Sequence, residues 1–379
     1  MQCVGLYIHI PFCRAKCSYC DFNSFPHLEH LHEPYTRALC SELSSSVGSP
    51  EWEVDSVFVG GGTPTVLPPP MLDQVLSTIW QHWACVADVE VTVEANPGTL
   101  DREGLLALRR SGVNRLSLGA QSFRESELRL LGRIHRVEQT EEVFRGAREA
   151  CFENINLDLI YGLPDQCLRD WRFSLERALG LAPEHLSLYA LTLEDDTPLQ
   201  RMIASGTLAA PNPDAAAEMY AYAERRLLSA GYEHYELSNW AVPGRACRHN
   251  LKYWQSQPYL GFGAGAHSYV SGRRYQNVAE PLEYVAVVVS GKSPIGSEEW
   301  LAAPELMAES MILGLRLIEG VQFQAFAVRH SRDLLEAYAS QIAELEQSGL
   351  LARDSSRLCL TARGRLLANH AFGRFWPPG

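Results

Sequence analysis

The chain has little of what several protein classes require. Lys and Arg total 33 against 45 Asp and Glu, a formal net charge of −12. An acidic surface repels phosphate backbones, so nucleic acid is not an expected partner, although a count does not exclude a local basic patch. Long apolar runs are missing. The longest uniform stretch, near Tyr284–Val289, falls far short of the ~20 residues that cross a bilayer. No charged leader, cleavage site or Arg- and Ser-rich amphipathic segment opens the sequence, so a cytoplasmic protein is expected, with a trimmed segment before Met1 left open. Repeats and low-complexity tracts are absent as well. Of ten cysteines, seven (Cys3, Cys40, Cys85, Cys151, Cys167, Cys247 and Cys359) are scattered and do not form a disulfide framework in a chain of 379 residues.

The other three cysteines organise the chain. Gly5 to Asn23 reads GLYIHIPFCRAKCSYCDFN, a strand-like apolar run stopped at Pro11 and followed by Cys13, Cys17 and Cys20. The spacing C-x3-C-x2-C suggests one metal centre. A closed zinc site takes four ligands, and no second Cys or His pair sits at zinc spacing downstream. A cubane iron–sulfur cluster normally takes four cysteines, so three leave one iron open to another ligand. Three packed loop cysteines and an incomplete zinc site are the plainer alternatives.

From here to about residue 192, short apolar runs alternate with amphipathic segments six times. Strands are expected at Val54–Val59, Asp88–Ala95, Asn114–Gly119, Ile155–Tyr161 and His185–Leu191. This cadence implies parallel strands with helical crossovers, in an open sheet or an incomplete (β/α)6 barrel of the α/β class. Ligands then bind at the strands' carboxyl ends. There lie the cysteines, Gly60-Gly61-Gly62-Thr63-Pro64-Thr65, Glu94, Gln121 and, late in its strand, Asp158. Each also has a plain reading: a tight turn for the glycines, a surface carboxylate for Glu94. Three successive glycines, however, let backbone approach a ligand closely. Asp158 sits in an apolar run and needs a partner.

Three units are expected: residues 1–235, an aromatic- and Gly-rich segment 236–300, and a C-terminal unit 301–379. The last combines helices at Pro304–Leu317, Phe323–Arg329, Arg332–Ser348 and Thr361–Asn369 with a hairpin at Leu350–Leu360, like a winged helix. That fold alone would suggest nucleic acid; the acidic charge and the lack of a basic recognition helix argue against it.

The cysteine spacing after a first strand, Tyr19 before the last cysteine and the GGGTP loop together resemble the radical S-adenosylmethionine (SAM) superfamily, over about residues 5–195. The resemblance implies a [4Fe-4S] cluster on Cys13, Cys17 and Cys20. Its open iron would be chelated by the amino and carboxylate groups of SAM, whose reductive cleavage gives a 5'-deoxyadenosyl radical. Matching positions imply SAM contacts at Tyr7, Tyr19, Gly61, Gly62, Thr63, Glu94, Gln121, Arg133, Asp158 and Thr192, the last the loosest match. YIHIPFC looks like the oxygen-independent coproporphyrinogen III oxidase group. NLDLIYGLP, HLSLYALTLE and YELSNWA…CRHNLKYW resemble the HemW haem chaperones within it.

Two departures from the oxidase matter. Its fourth cysteine, two residues after the third, is Phe22 here, and only six residues precede Tyr7 where the oxidase has an extra segment. Oxidase activity is therefore not expected. HNLKYW matches the HNxxYW through which HemW proteins are thought to bind haem. This implies haem contacts at His249, Asn250, Tyr253 and Trp254, with Arg245, Arg248 and Lys252 available to haem propionates. Cys247 is a rival iron ligand, and a packed His with two core aromatics is the structural alternative. The resemblance implies haem and haem-acceptor proteins, respiratory enzymes among them, as partners. Transient membrane-associated acceptors and a homodimer stay open. The competing reading is a radical SAM enzyme acting on a porphyrin-type substrate.

Overall fold

The computed structural model describes residues 2–46 and 52–377. Six strands run parallel and in sequence order: β1 (Gln2–Ile10), β2 (Trp52–Gly61), β3 (Cys85–Ala95), β4 (Arg115–Gln121), β5 (Ile155–Tyr161) and β6 (His185–Ala190). Their residues alternate: one face is apolar and packed under the helices, and the other is more polar. Leu6, Ile8, Val57, Val59, Val91, Val93, Leu116, Leu118, Leu157 and Leu159 are all buried on the helix-covered face. The crossover helices include α1 (His32–Ser45), α2 (Pro69–His82), α3 (Arg102–Arg110), α4 (Val137–Glu149) and α5 (Leu168–Gly180). Asp101 caps α3, its carboxylate accepting the Gly104 N–H at 2.8 Å. The α/β class and the (β/α)6 order match the reading of the sequence.

The sheet does not end at β6. After helix α6 (Pro213–Ser229), β7 (Glu233–Glu236) and β8 (Asn239–Ala241) extend it beyond β6. Beyond β1 lie β9 (Tyr259–Phe262), parallel to β1, and then the antiparallel β10 (His267–Val270), β11 (Arg273–Asn277) and β12 (Ile295–Trp300). Residues 236–300 therefore feed both ends of one twelve-stranded sheet. The boundary near 236 marks a change of composition and not a break in the sheet. Between β8 and β9 the chain crosses the hollow of the sheet as helix α7 (Arg248–Trp254). The strands curl round it. Tyr7, Phe58, Glu94, Ser117, Asp158 and Tyr189, one from each parallel strand, face a common chamber with Asn250 and Tyr253 of α7.

The C-terminal unit has its own core, with Met311, Phe326, Leu345, Leu358 and Phe372 buried together. Its strands Val321–Gln322, Arg357–Leu360 and Leu351–Arg353 form a small sheet. Two expected helices are broken. Leu334–Ala337 and Ala339–Gln347 meet at Tyr338, and Ala362–Leu366 and Ala368–Gly373 meet at Leu367. Buried Tyr338 packs edge-on against Phe375, so core packing fixes the bend that a continuous amphipathic pattern hides. Among the described residues no helix is long and apolar enough to cross a membrane.

Candidate functional site

Pro11 ends β1 and sends the chain over the carboxyl ends of the strands. The loop is pinned from below: Arg14 Nη1 donates to Gly98 O at 3.0 Å, and Ser18 bonds to Leu130 O and Leu131 O. Cys13, Cys17 and Cys20 are each half-buried and line one cavity of about 320 Å³. Among the described residues no three His, Cys, Asp or Glu side chains converge closely enough for a single metal ion. The thiols instead stand around a space, as a cluster with separate iron corners needs. Burial pushes the Cys13 and Cys20 thiols upward. Without metal they keep their protons, and metal binding must displace them. Cys17 has a cation beside it: Arg133 Nη1 donates to its Sγ at 3.4 Å. The same guanidinium bonds Gly119 O at 2.8 Å and Asn96 Oδ1.

The glycine loop forms the opposite wall. A Cβ on Gly62 would overlap Phe12 O and press against Cys13 Sγ, and Gly61 has φ +116. Only glycine brings backbone this near the thiols. The Gly61 N–H donates to Glu94 Oε2 at 3.2 Å. Glu94 is pushed up to about 8, first by burial and then by Asp158. Asp158 is also raised by burial, although Ser117 Oγ (3.0 Å) and Asn156 Nδ2 (2.8 Å) donate to it. Two carboxyls short of countercharge suit a cationic or hydroxyl-rich ligand. Gln121 holds φ +64, a left-handed conformation a non-glycine residue adopts only under constraint, at the β4 terminus where its side chain meets the cavity.

Nine of the ten residues expected around SAM line this one cavity with the cysteines: Tyr19, Gly61, Gly62, Thr63, Glu94, Gln121, Arg133, Asp158 and Thr192. Tyr7 does not. It lies lower, its hydroxyl 3.0 Å from His9 Nδ1, beside two adjoining chambers that share Glu94. Sequence reading missed Asn96, whose Nδ2 donates to Thr63 Oγ1 at 2.8 Å and whose Oδ1 takes Arg133. Asn96-Pro97-Gly98 carried only a turn signal. Also missed were Ser117 and Tyr189, which present an ordinary strand pattern.

The HNLKYW segment lies in α7 on the floor, where only His249 and Lys252 are buried. His249 is fully buried. Its Nδ1 hydrogen-bonds Ser56 Oγ at 3.0 Å, its Nε2 hydrogen-bonds Tyr253 OH at 2.9 Å, and its ring stacks on Phe58. Burial, then Lys252, lowers its pKa to about 3. Both ring nitrogens of His249, the residue expected to face haem iron, are hydrogen-bonded to protein in this structure. Lys252 and Arg248 are also committed, to Asp55 at 2.7 Å and Asp88 at 2.8 Å. Cys247 is fully buried, its thiol pushed up to about 12 chiefly by burial, and it lies 3.5 Å from Glu90 Oε1. Asn250 and Tyr253 face the polar chamber, and Trp254 stacks under Arg316, 4.3 Å from its ring.

Three thiols facing a cavity at the carboxyl ends of parallel strands are what a radical SAM protein requires, and residues 7–178 match the Radical SAM superfamily. Residues 301–367 match the HemN C-terminal domain. The Bacillus subtilis protein named heme chaperone HemW is 38% identical over 97% of this chain and 98% of its own length. The Escherichia coli protein of the same name is 40% identical over 71% and 70%. A mouse mitochondrial radical S-adenosyl methionine domain-containing protein is 36% identical over 92% and 82%. Among solved structures, E. coli coproporphyrinogen III oxidase superposes with TM-score 0.86 at 26% identity, over 99% of this chain and 90% of that one. The chain belongs to the HemW family.

Proposed function

We propose that the chain is a haem chaperone on a radical SAM scaffold, holding haem together with a [4Fe-4S] cluster and SAM and passing haem to acceptor proteins. The supporting observation is its likeness, along nearly the whole chain, to proteins named heme chaperone HemW. Phe22 adds to it: where the related oxidase carries a thiol, this chain puts a ring 64% exposed at the rim of the cysteine cavity, with no proton or electron to give.

Cys13, Cys17 and Cys20 would hold the cluster. Gly61, Gly62, Thr63, Glu94, Gln121 and Asp158 would hold SAM against it. When bound, the cluster and SAM supply one-electron chemistry; the protein's share is binding, orientation and exclusion of water. Arg133 holds positive charge against Cys17 Sγ. Glu94 gains its charge when a ligand cation arrives.

Haemin titration of the reconstituted chain, followed by transfer to an apo-haem protein, tests this reading. Saturable uptake and transfer support it; no uptake sinks it. The second reading, a porphyrinogen-decarboxylating enzyme, is favoured by the close superposition on coproporphyrinogen III oxidase. Anaerobic turnover of coproporphyrinogen with release of 5'-deoxyadenosine would establish it. A cytoplasmic setting, membrane-associated acceptors and a homodimeric working form extend the first reading, and light scattering of the haem-loaded chain tests the last.

A further inference from the structure

Beside the cysteine cavity lies a second, more open one of about 530 Å³, within the range of small-molecule pockets. The two share Phe22, Gly61 and Glu94 as a common wall. Its lining mixes the rings of Tyr7, Phe22, Tyr253 and Tyr259 with polar groups and glycines. Two histidines also line it. His9 is committed: its Nδ1 pairs with Tyr7 OH at 3.0 Å and its Nε2 with Asn23 O at 2.9 Å. His267, opening β10, is exposed, and among the described residues neither of its ring nitrogens has a hydrogen-bond partner. Partial burial, then Arg274, lowers its pKa, which favours the neutral form that ligates metal.

The fold aims His267 at this space. Asn23, at the end of the cysteine loop, donates its Nδ2 to Ala264 O at 3.1 Å and Ala279 O at 2.9 Å. Gly265 (φ +75) has no room for a Cβ, which would overlap Asn23 Nδ2. Glu42 on α1 accepts from Gly263 N (2.9 Å), Asn277 Nδ2 (2.7 Å) and Tyr284 OH (2.5 Å). The turn between β9 and β10 is thereby fixed from two sides, placing the free imidazole across the cavity from Phe22.

We propose that His267, and not His249, is an axial ligand of haem iron bound in this second cavity, with Phe22 and the tyrosines against the porphyrin. The proposal rests on the haem-chaperone reading. It places the porphyrin beside the SAM cavity, at the strands' carboxyl ends, with Tyr253 the residue of α7 that meets it.

Haemin is titrated into the full chain as wild type, His267→Ala, His267→Cys and His249→Ala, with absorption and electron paramagnetic resonance spectra recorded and folding checked by circular dichroism. Expected are an imidazole-ligated spectrum in the wild type and its loss in His267→Ala, with binding weaker by about tenfold or more and the spectrum restored by free imidazole. His267→Cys shifts to a thiolate-ligated spectrum. His249→Ala loses stability yet keeps the imidazole signature in its folded fraction. Wild-type spectrum and affinity in His267→Ala overturn the assignment while the chaperone reading stands. Loss of the imidazole signature in folded His249→Ala, with His267→Ala unchanged, returns the ligand to α7. No haemin uptake by the wild type removes both readings.

Discussion

The roof and the floor of the sheet's hollow use the same residue types to opposite effect. Above, at the carboxyl ends, Cys13, Cys17, Cys20, Glu94 and Gln121 face a space. Below, Cys247, Glu90, His249, Lys252 and Asp55 face one another. Glu90 alone accepts from the N–H groups of Arg248 (3.1 Å) and His249 (3.2 Å) and lies 3.5 Å from Cys247 Sγ. Most floor groups have spent their hydrogen bonds on protein, Asp55 Oδ1 excepted. Roof groups keep theirs for something else. A His-Tyr-Trp motif and a cysteine motif look equally chemical in a sequence; which one binds depends on whether its polar atoms are already paired.

Breaking the roof has the largest effect. Cys17→Ser should drop reconstituted iron from about four per chain to background, read by iron analysis and visible absorption, while leaving the fold intact. Next comes the floor. Lys252 is 2% exposed on Asp55, so Lys252→Met strands a part-buried carboxylate, with an expected cost of ~3 kcal/mol in urea unfolding. Iron uptake at saturating stability should not change. The reverse pattern, lost iron with unchanged stability, would erase the contrast between the two regions.

A third test concerns pH. Folded Glu94, raised from 4.5 to about 8, holds more proton than the unfolded chain across that window. Its contribution to stability is therefore present at low pH and falls as pH rises from the unfolded value through about 8. Glu42, raised to about 7 by burial, acts with the same sign. Glu94→Gln should flatten the decline, gaining ~2 kcal/mol over the wild type at high pH and little at low pH. Equal slopes for the two proteins would remove Glu94 as the source. The smallest effect is expected at Phe22→Cys: a stability change within ~0.5 kcal/mol, since the ring is mostly exposed, and no gain of porphyrinogen decarboxylation.

The roof was legible because strand ends, glycines and closely spaced cysteines each leave a local signal. Position along the chain was enough to bring Glu94, Gln121 and Asp158 together, since consecutive parallel strands stay in order. The floor was not legible. Nothing local tells that residues 248–254 cross the hollow between two edges of one sheet, or that Ser56 and Tyr253 take both nitrogens of His249. These are pairings across 193 residues in one case and a single helical turn in the other. His267 escaped notice for the converse reason: a lone histidine in a Gly-rich run has no pattern, and only the turn around Asn23 gives it a direction.

Asn23 carries a further consequence. Its two bonds to Ala264 and Ala279 fasten the cysteine loop to the far edge of the sheet, across more than 240 residues of chain. A loop that loosens when its metal leaves must slacken that edge as well. Chelating the iron should therefore speed amide hydrogen exchange and proteolytic nicking in residues 263–279, far along the chain from any cysteine of the cluster, and Asn23→Ala should reproduce the effect with the metal in place. On that outcome the loop would be a latch as well as a ligand set, tying the far hairpin to the state of the cysteine site.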